Sequence, residues 1–265
     1  MLKISNKLWP KSLNIKNHFA YLNINRVKST GIVRDKSKLI KPNYNKLSYA
    51  IADTTNLSLL SDTLPDRVKT LAEEKPNNVC YKFSLTQTQF TFLEVKQRID
   101  EIAQNFLDMG FQKGDRIAIL LPNIPENNLV MLAASSIGLI VVLMNPAYRL
   151  VEVEYMLKKT QAKGVVIMDN LKILQHYDII KTICPEIENS SKGELNSKNL
   201  PHLKHVIMVN NRLFKDPNQQ TKGTWQFNEL EKFNKQPREK PHVDMDDSFV
   251  IMFTVNIKNL NFNLI

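Results

Sequence analysis

Gly110-Phe111-Gln112-Lys113-Gly114-Asp115-Arg116-Ile117-Ala118-Ile119-Leu120-Leu121-Pro122-Asn123 contains the change of element that decides the fold. Gly110 ends a helix, because a residue without a Cβ takes the left-handed backbone of a helix C-terminus at little cost. Arg116 to Leu121 reads as an apolar strand. Pro122-Asn123-Ile124-Pro125 then stops it and opens a helix through Ser136. On the N-terminal side, Thr91-Phe92-Leu93-Glu94 is a capping box, and Phe92, Val95, Ile99, Ile102, Ala103 and Phe106 follow at helical spacing. Leu64 to Glu74 predicts an earlier helix with Pro65 at its start, and Val79 to Phe83 with Thr88 to Thr91 predicts a small hairpin.

The alternation continues downstream. Leu139 to Met144, Gly164 to Met168 and Leu203 to Val209 read as strands, while Val151 to Thr160 and Leu171 to Ile183 read as helices. Asp246 to Thr254 reads as a short apolar strand entered from a polar turn, and Glu186 to Pro201 reads as a surface loop. Strands separated by helices imply right-handed crossovers and a mostly parallel sheet, which binds ligands at the carboxyl ends of its strands.

Charge is unevenly placed. Of 36 Lys and Arg, ten lie in residues 1–45, where Asp35 is the only acid; the rest of the chain is close to neutral. A basic leader with apolar residues and almost no acid fits a mitochondrial targeting segment, with Arg26 to Thr30 as a processing region. The near-neutral body argues against a nucleic-acid partner, and no run of about 18 apolar residues predicts a transmembrane segment. Cys80 and Cys184 are too few for a disulfide framework and are read as buried thiols.

No residue pattern specifies catalysis by itself. Among His18, His176, His202, His205 and His242, only His202 and His205 are close, and they read as a solvated pair rather than a metal site. Lys113-Gly114 and Lys163-Gly164 lack the further glycines of a phosphate cradle and read as helix-to-strand turns. Glu152 and Glu154 read as surface charges.

From about Leu64 to Thr254 the chain resembles the acyl-activating, adenylate-forming superfamily. The resemblance rests on Gly110 to Asn123, on Gly138 to Tyr148 with its ending Asn145-Pro146-Ala147-Tyr148, and on Glu152 to Lys159. Tyr177 to Asn189 and Leu200-Pro201-His202-Leu203 make it most similar to the mitochondrial medium-chain acyl-CoA synthetases. The implied fold is α/β: a partial N-terminal domain of an adenylate-forming enzyme, a mostly parallel sheet with flanking helices. It would occupy residues 46–254, after a leader over 1–45 and before a divergent tail over 255–265.

The resemblance implies a two-step reaction in the mitochondrial matrix. A medium-chain fatty acid attacks the α-phosphate of Mg-ATP to give an acyl-adenylate and pyrophosphate, and the thiol of CoA then displaces AMP. ATP, Mg and CoA are therefore the family's cofactors and co-substrates. Its phosphate loop, T-S-G-T-T-G-x-P-K-G, supplies flexible backbone, hydroxyls and a lysine to the phosphates. In this chain only Thr254 matches, as the first residue of that loop. Without gaps, Asn256, Asn259 and Asn263 stand at the glycines, Ile257 and Lys258 at the threonines, and Phe262 at the lysine. The expectation is that ATP, Mg and CoA do not bind productively, that the chain alone is inactive, and that Lys258 is a poor replacement lysine. The alternative expectation is a non-catalytic regulatory or binding fragment that associates with a full-length synthetase.

Overall fold

The computed structural model of the chain describes residues 62–84, 87–168, 175–210, 221–255 and 262–264. These lie in one compact unit, Leu59–Ile265. The predicted leader, Ile257 and Lys258 fall outside the described residues.

Helix α1 spans Leu64–Glu74, and strands β1 (Val79–Phe83) and β2 (Thr88–Thr91) form an antiparallel hairpin leading into α2 (Phe92–Asp108). Both helices open with the capping box their sequences predict: Thr63 with Asp66 in α1, Thr91 with Glu94 in α2. There follow β3 (Arg116–Leu120), α3 (Pro125–Ser135), β4 (Ile140–Leu143), α4 (Leu150–Thr160), β5 (Gly164–Met168) and α5 (His176–Ile183). Then come β6 (His205–Val209), β7 (Thr224–Gln226), the single turn α6 (Phe227–Leu230), β8 (Val250–Ile251), β9 (Phe253–Val255) and β10 (Phe262–Leu264). Six of these strands form one parallel sheet in the order β7-β6-β5-β3-β4-β8.

The strands read as continuous apolar runs because both sheet faces are covered. Ile117 and Ile119 of β3 meet α2 and α3 through Ile102, Phe106, Leu129 and Leu132. Ala118 and Leu120, pointing the other way, meet α4 and α5 through Val153, Met156 and Ile180. The two-residue period of a strand thus divides one apolar sequence between two cores.

The end of α2 explains the opening stretch in atomic terms. Gly110 has φ +86°. The Phe111 N–H donates to Phe106 O at 3.0 Å, and the Gly110 N–H donates to Leu107 O at 3.1 Å. That pairing is a Schellman cap, and its usual apolar contact is present, with the Phe106 and Phe111 rings 5.5 Å apart. Phe111 then lies on the first residue of β5: a Cβ on Gly164 would come within 2.7 Å of Phe111 Cζ. Gly138 (φ +70°) repeats the cap after α3, with Leu139 N–H to Ala134 O at 2.9 Å.

Several expectations need correction. Glu152 and Glu154 are not idle surface charges. Glu152 accepts from the Arg149 N–H at 3.2 Å at the start of α4, and Glu154 accepts from Asn199 Nδ2 at 2.7 Å. The 186–201 segment is not a plain surface loop either, since Ile187, Leu195 and Leu200 are buried in the α4–α5 core. Its polar residues outnumber these three and hide them from a composition-based reading. Cys184 is buried, but Cys80 is only half-buried because β1 has a single sheet neighbour. The predicted strand over 246–254 is interrupted at Met252, which is 53% exposed.

Candidate functional site

The carboxyl ends of β3, β4 and β8 lie side by side, as parallel pairing requires. After β3, the Ile124 N–H donates to Pro122 O at 2.8 Å and Asn127 Nδ2 donates to the same oxygen at 3.2 Å. The turn into α3 is thereby fixed, and Pro125, which has no N–H, takes its first position. After β4, Asn145 organises the next turn with both of its acceptors. Its side-chain Oδ1 accepts from the Ala147 N–H at 2.9 Å and its carbonyl accepts from the Tyr148 N–H at 2.9 Å.

His176, fully buried at the start of α5, places Nε2 2.9 Å from Pro146 O. A carbonyl only accepts, so Nε2 carries the proton. The imidazole thus ties the Asn145–Tyr148 turn to α5.

Thr254 stands just past β8, in β9. Its backbone pairs antiparallel with Asn263, between Phe253↔Leu264 and Val255↔Phe262. The Phe253 ring packs edge-on against Tyr155 of α4, with centroids 6.4 Å apart.

The other polar features of the sequence lie at the opposite, amino ends of the strands. Lys113 pairs with Asp247 at 2.6 Å and donates to His242 O at 3.0 Å. Lys163 pairs with Asp115 at 2.6 Å and donates to Gly110 O at 2.7 Å. Both lysines fasten turns together. His202 and His205 are not a solvated pair: His202 is exposed, whereas His205, the first residue of β6, is 5% exposed. Burial, reinforced by the charge of Lys163, pushes the His205 pKa down to about 4. The signal for this burial was its place at the head of the apolar run Val206–Val209. Among the described residues no group of three or more His, Cys, Asp and Glu is arranged to hold a metal, and no helix is long and apolar enough to cross a membrane.

Residues 68–255 match the AMP-binding enzyme family. The chain belongs to that family. Over 176 residues it is 35% identical to the human (Homo sapiens) protein "Medium-chain acyl-CoA ligase ACSF2, mitochondrial", a match covering 66% of this chain and 28% of that protein. The putative acyl-CoA synthetase YngI of Bacillus subtilis is 28% identical over 154 residues, covering 58% of this chain and 28% of the relative. The chain therefore spans little more than a quarter of the length of these curated relatives. A putative long-chain-fatty-acid CoA ligase from Rhodopseudomonas palustris shares the fold, with a TM-score of 0.60 at 22% identity over 78% of this chain and 45% of that one.

Proposed function

We propose that this chain represents the N-terminal part of an AMP-forming acyl-CoA ligase of the mitochondrial medium-chain type, and that its residues 254–265 do not build the phosphate site. Membership of the AMP-binding family and 35% identity to a mitochondrial medium-chain ligase support the first part. The pairing of Thr254 with Asn263 carries the second. A phosphate loop needs successive backbone N–H groups turned toward the ligand. Here β9 and β10 direct backbone groups at one another. Val255, at the family's serine position, and Ile257, at a threonine, are β-branched and resist the left-handed backbone that glycine permits. ATP and Mg are thus a poor fit to these residues. Residues 1–45 act in this reading as a mitochondrial leader, residues 46–254 as the domain portion, and the matrix as the working compartment.

The substrates of the intact reaction would be a medium-chain fatty acid, ATP and CoA. This chain's share is the sheet and the turns after β3 and β4, held by Asn127, Asn145 and His176. Titration calorimetry of the purified 265-residue protein with Mg-ATP tests the reading. No saturable heat is expected, and saturable binding would overturn the second part.

A second reading, a non-catalytic partner of a full-length synthetase, draws on the outer edge of β8, which has no strand beside it among the described residues. Met252, between β8 and β9, and Val151 of α4 are 53% and 72% exposed. Co-purification of a full-length synthetase with tagged chain would favour it.

A further inference from the structure

A cleft of about 320 Å³ opens toward the amino ends of β6 and β7, at the opposite end of the sheet from the carboxyl strand ends described above. Its walls come from the Lys192–Glu194 turn, His205, Trp225, the end of α2 and Glu229. Two of its lining residues carry buried nitrogens with no hydrogen-bond partner, His205 Nδ1 and Trp225 Nε1. Buried polar nitrogens are normally paired, so two unpaired ones on neighbouring rings call for a physical reason.

Gly193 lies against both rings. A Cβ built on Gly193 would lie 3.4 Å from His205 Nδ1 and 3.2 Å from Trp225 Cζ2, a carbon two bonds from Nε1. Gly193 also has φ +84°, so any side chain here is strained as well as crowded. The glycine thus packs over the edges of both rings.

The surroundings restrict what that group is. The imidazole is flanked by aromatic rings, Phe111 at 4.9 Å and Trp225 at 6.4 Å between centroids. Lys192 pairs with Glu229 and stands 4.8 Å from the centre of the Trp225 ring, Lys235 pairs with Asp108, and the Glu194 carboxylate also lines the rim. An anion would meet Glu194 or have to break one of these pairs, and a cation at the two nitrogens would face the Trp225 N–H, which only donates. Trp Nε1 only donates, whereas a neutral imidazole nitrogen donates or accepts according to its tautomer.

We propose that the His205–Trp225 pair is a binding site for a small, uncharged, planar carboxamide, admitted when the Gly193 turn lifts. The carboxamide oxygen accepts from Trp225 Nε1 and its NH2 donates to His205 Nδ1, while its plane lies against the aromatic walls. Burial keeps His205 neutral at physiological pH, which leaves Nδ1 able to accept. The turn is fastened by the Glu194 N–H to Ser191 O bond at 3.1 Å and by the exposed Lys192–Glu229 pair, contacts weak enough to open.

The chain holds two tryptophans, Trp9 and Trp225, so the indole N–H of Trp225 is an assignable NMR reporter. The test titrates nicotinamide into isotope-labelled full chain, with Trp225→Phe used to assign the signal. A saturable shift of the Trp225 indole signal is expected. His205→Phe, which keeps the ring and its burial, should weaken binding about tenfold, the loss of one buried hydrogen bond. Cooperative melting of each variant checks that it folds. No saturable shift up to the solubility limit would overturn the proposal and leave the nitrogens to ordered water. An equal shift in His205→Phe would overturn it too, as surface stacking only.

Discussion

His205 should give the fold a measurable acid sensitivity. Its imidazole is buried and neutral, with a pKa pushed down to about 4 from an ordinary 6.5. The unfolded chain exposes the same ring at its ordinary value. Above about pH 6.5 both states carry it neutral and it contributes no pH dependence. As the pH falls below that, the unfolded chain takes up a proton that the folded chain refuses, so stability falls. The loss is complete once the pH passes the folded value near 4. Each unit of separation corresponds to about 1.4 kcal/mol. The full effect is therefore about 3 kcal/mol, and about 2 kcal/mol of it falls between roughly pH 7 and pH 5.

The perturbation is His205→Phe, which keeps an aromatic ring between Phe111 and Trp225 and removes the proton site. The assay is urea unfolding of wild type and variant at both pH values. All other ionisable groups are common to the two proteins, so the difference of differences isolates His205. Wild type should lose about 2 kcal/mol more than the variant over that interval. Equal losses would show that His205 is hydrated in the folded state and refute its burial.

The α2–β5 junction should be similarly sensitive to packing. Phe106→Ala, at a fully buried ring that closes the Schellman cap on Phe111, should cost about 3–5 kcal/mol and lower the melting temperature by about 6–20 °C; a loss below about 1 kcal/mol would mean that this core is loosely packed. Gly164→Ala should cost about 1–3 kcal/mol, measured by urea unfolding, because its methyl would stand 2.7 Å from Phe111 Cζ. A neutral result would show that Phe111 moves aside freely.

The sheet was legible where physics acts locally. Gly110 at the end of an apolar helical stripe, followed by the uninterrupted Arg116–Leu121 run, indicated both the helix end and an apolar strand. The capping box at Thr91 and Glu94 was readable because its two hydrogen bonds join residues three apart. Features that depend on distant partners were not readable. The strand β7 has three residues and owes its existence to pairing with β6, and the buried leucines of the 186–201 segment answer a gap beneath α4 and α5. His205 was misjudged for the same reason: its neighbours Phe111 and Trp225 come from elsewhere in the chain. Thr254 could be proposed as a loop residue only by resemblance, since the antiparallel pairing of Thr254 with Asn263 has no signature in Val255-Asn256-Ile257.

The most direct test of the central claim is fatty-acid-dependent release of pyrophosphate from Mg-ATP by the purified 265-residue protein. The proposed reading, in which residues 254–265 leave the phosphates without a cradle, predicts release with octanoate no faster than in its absence. Octanoate-dependent release that scales with protein concentration would contradict it.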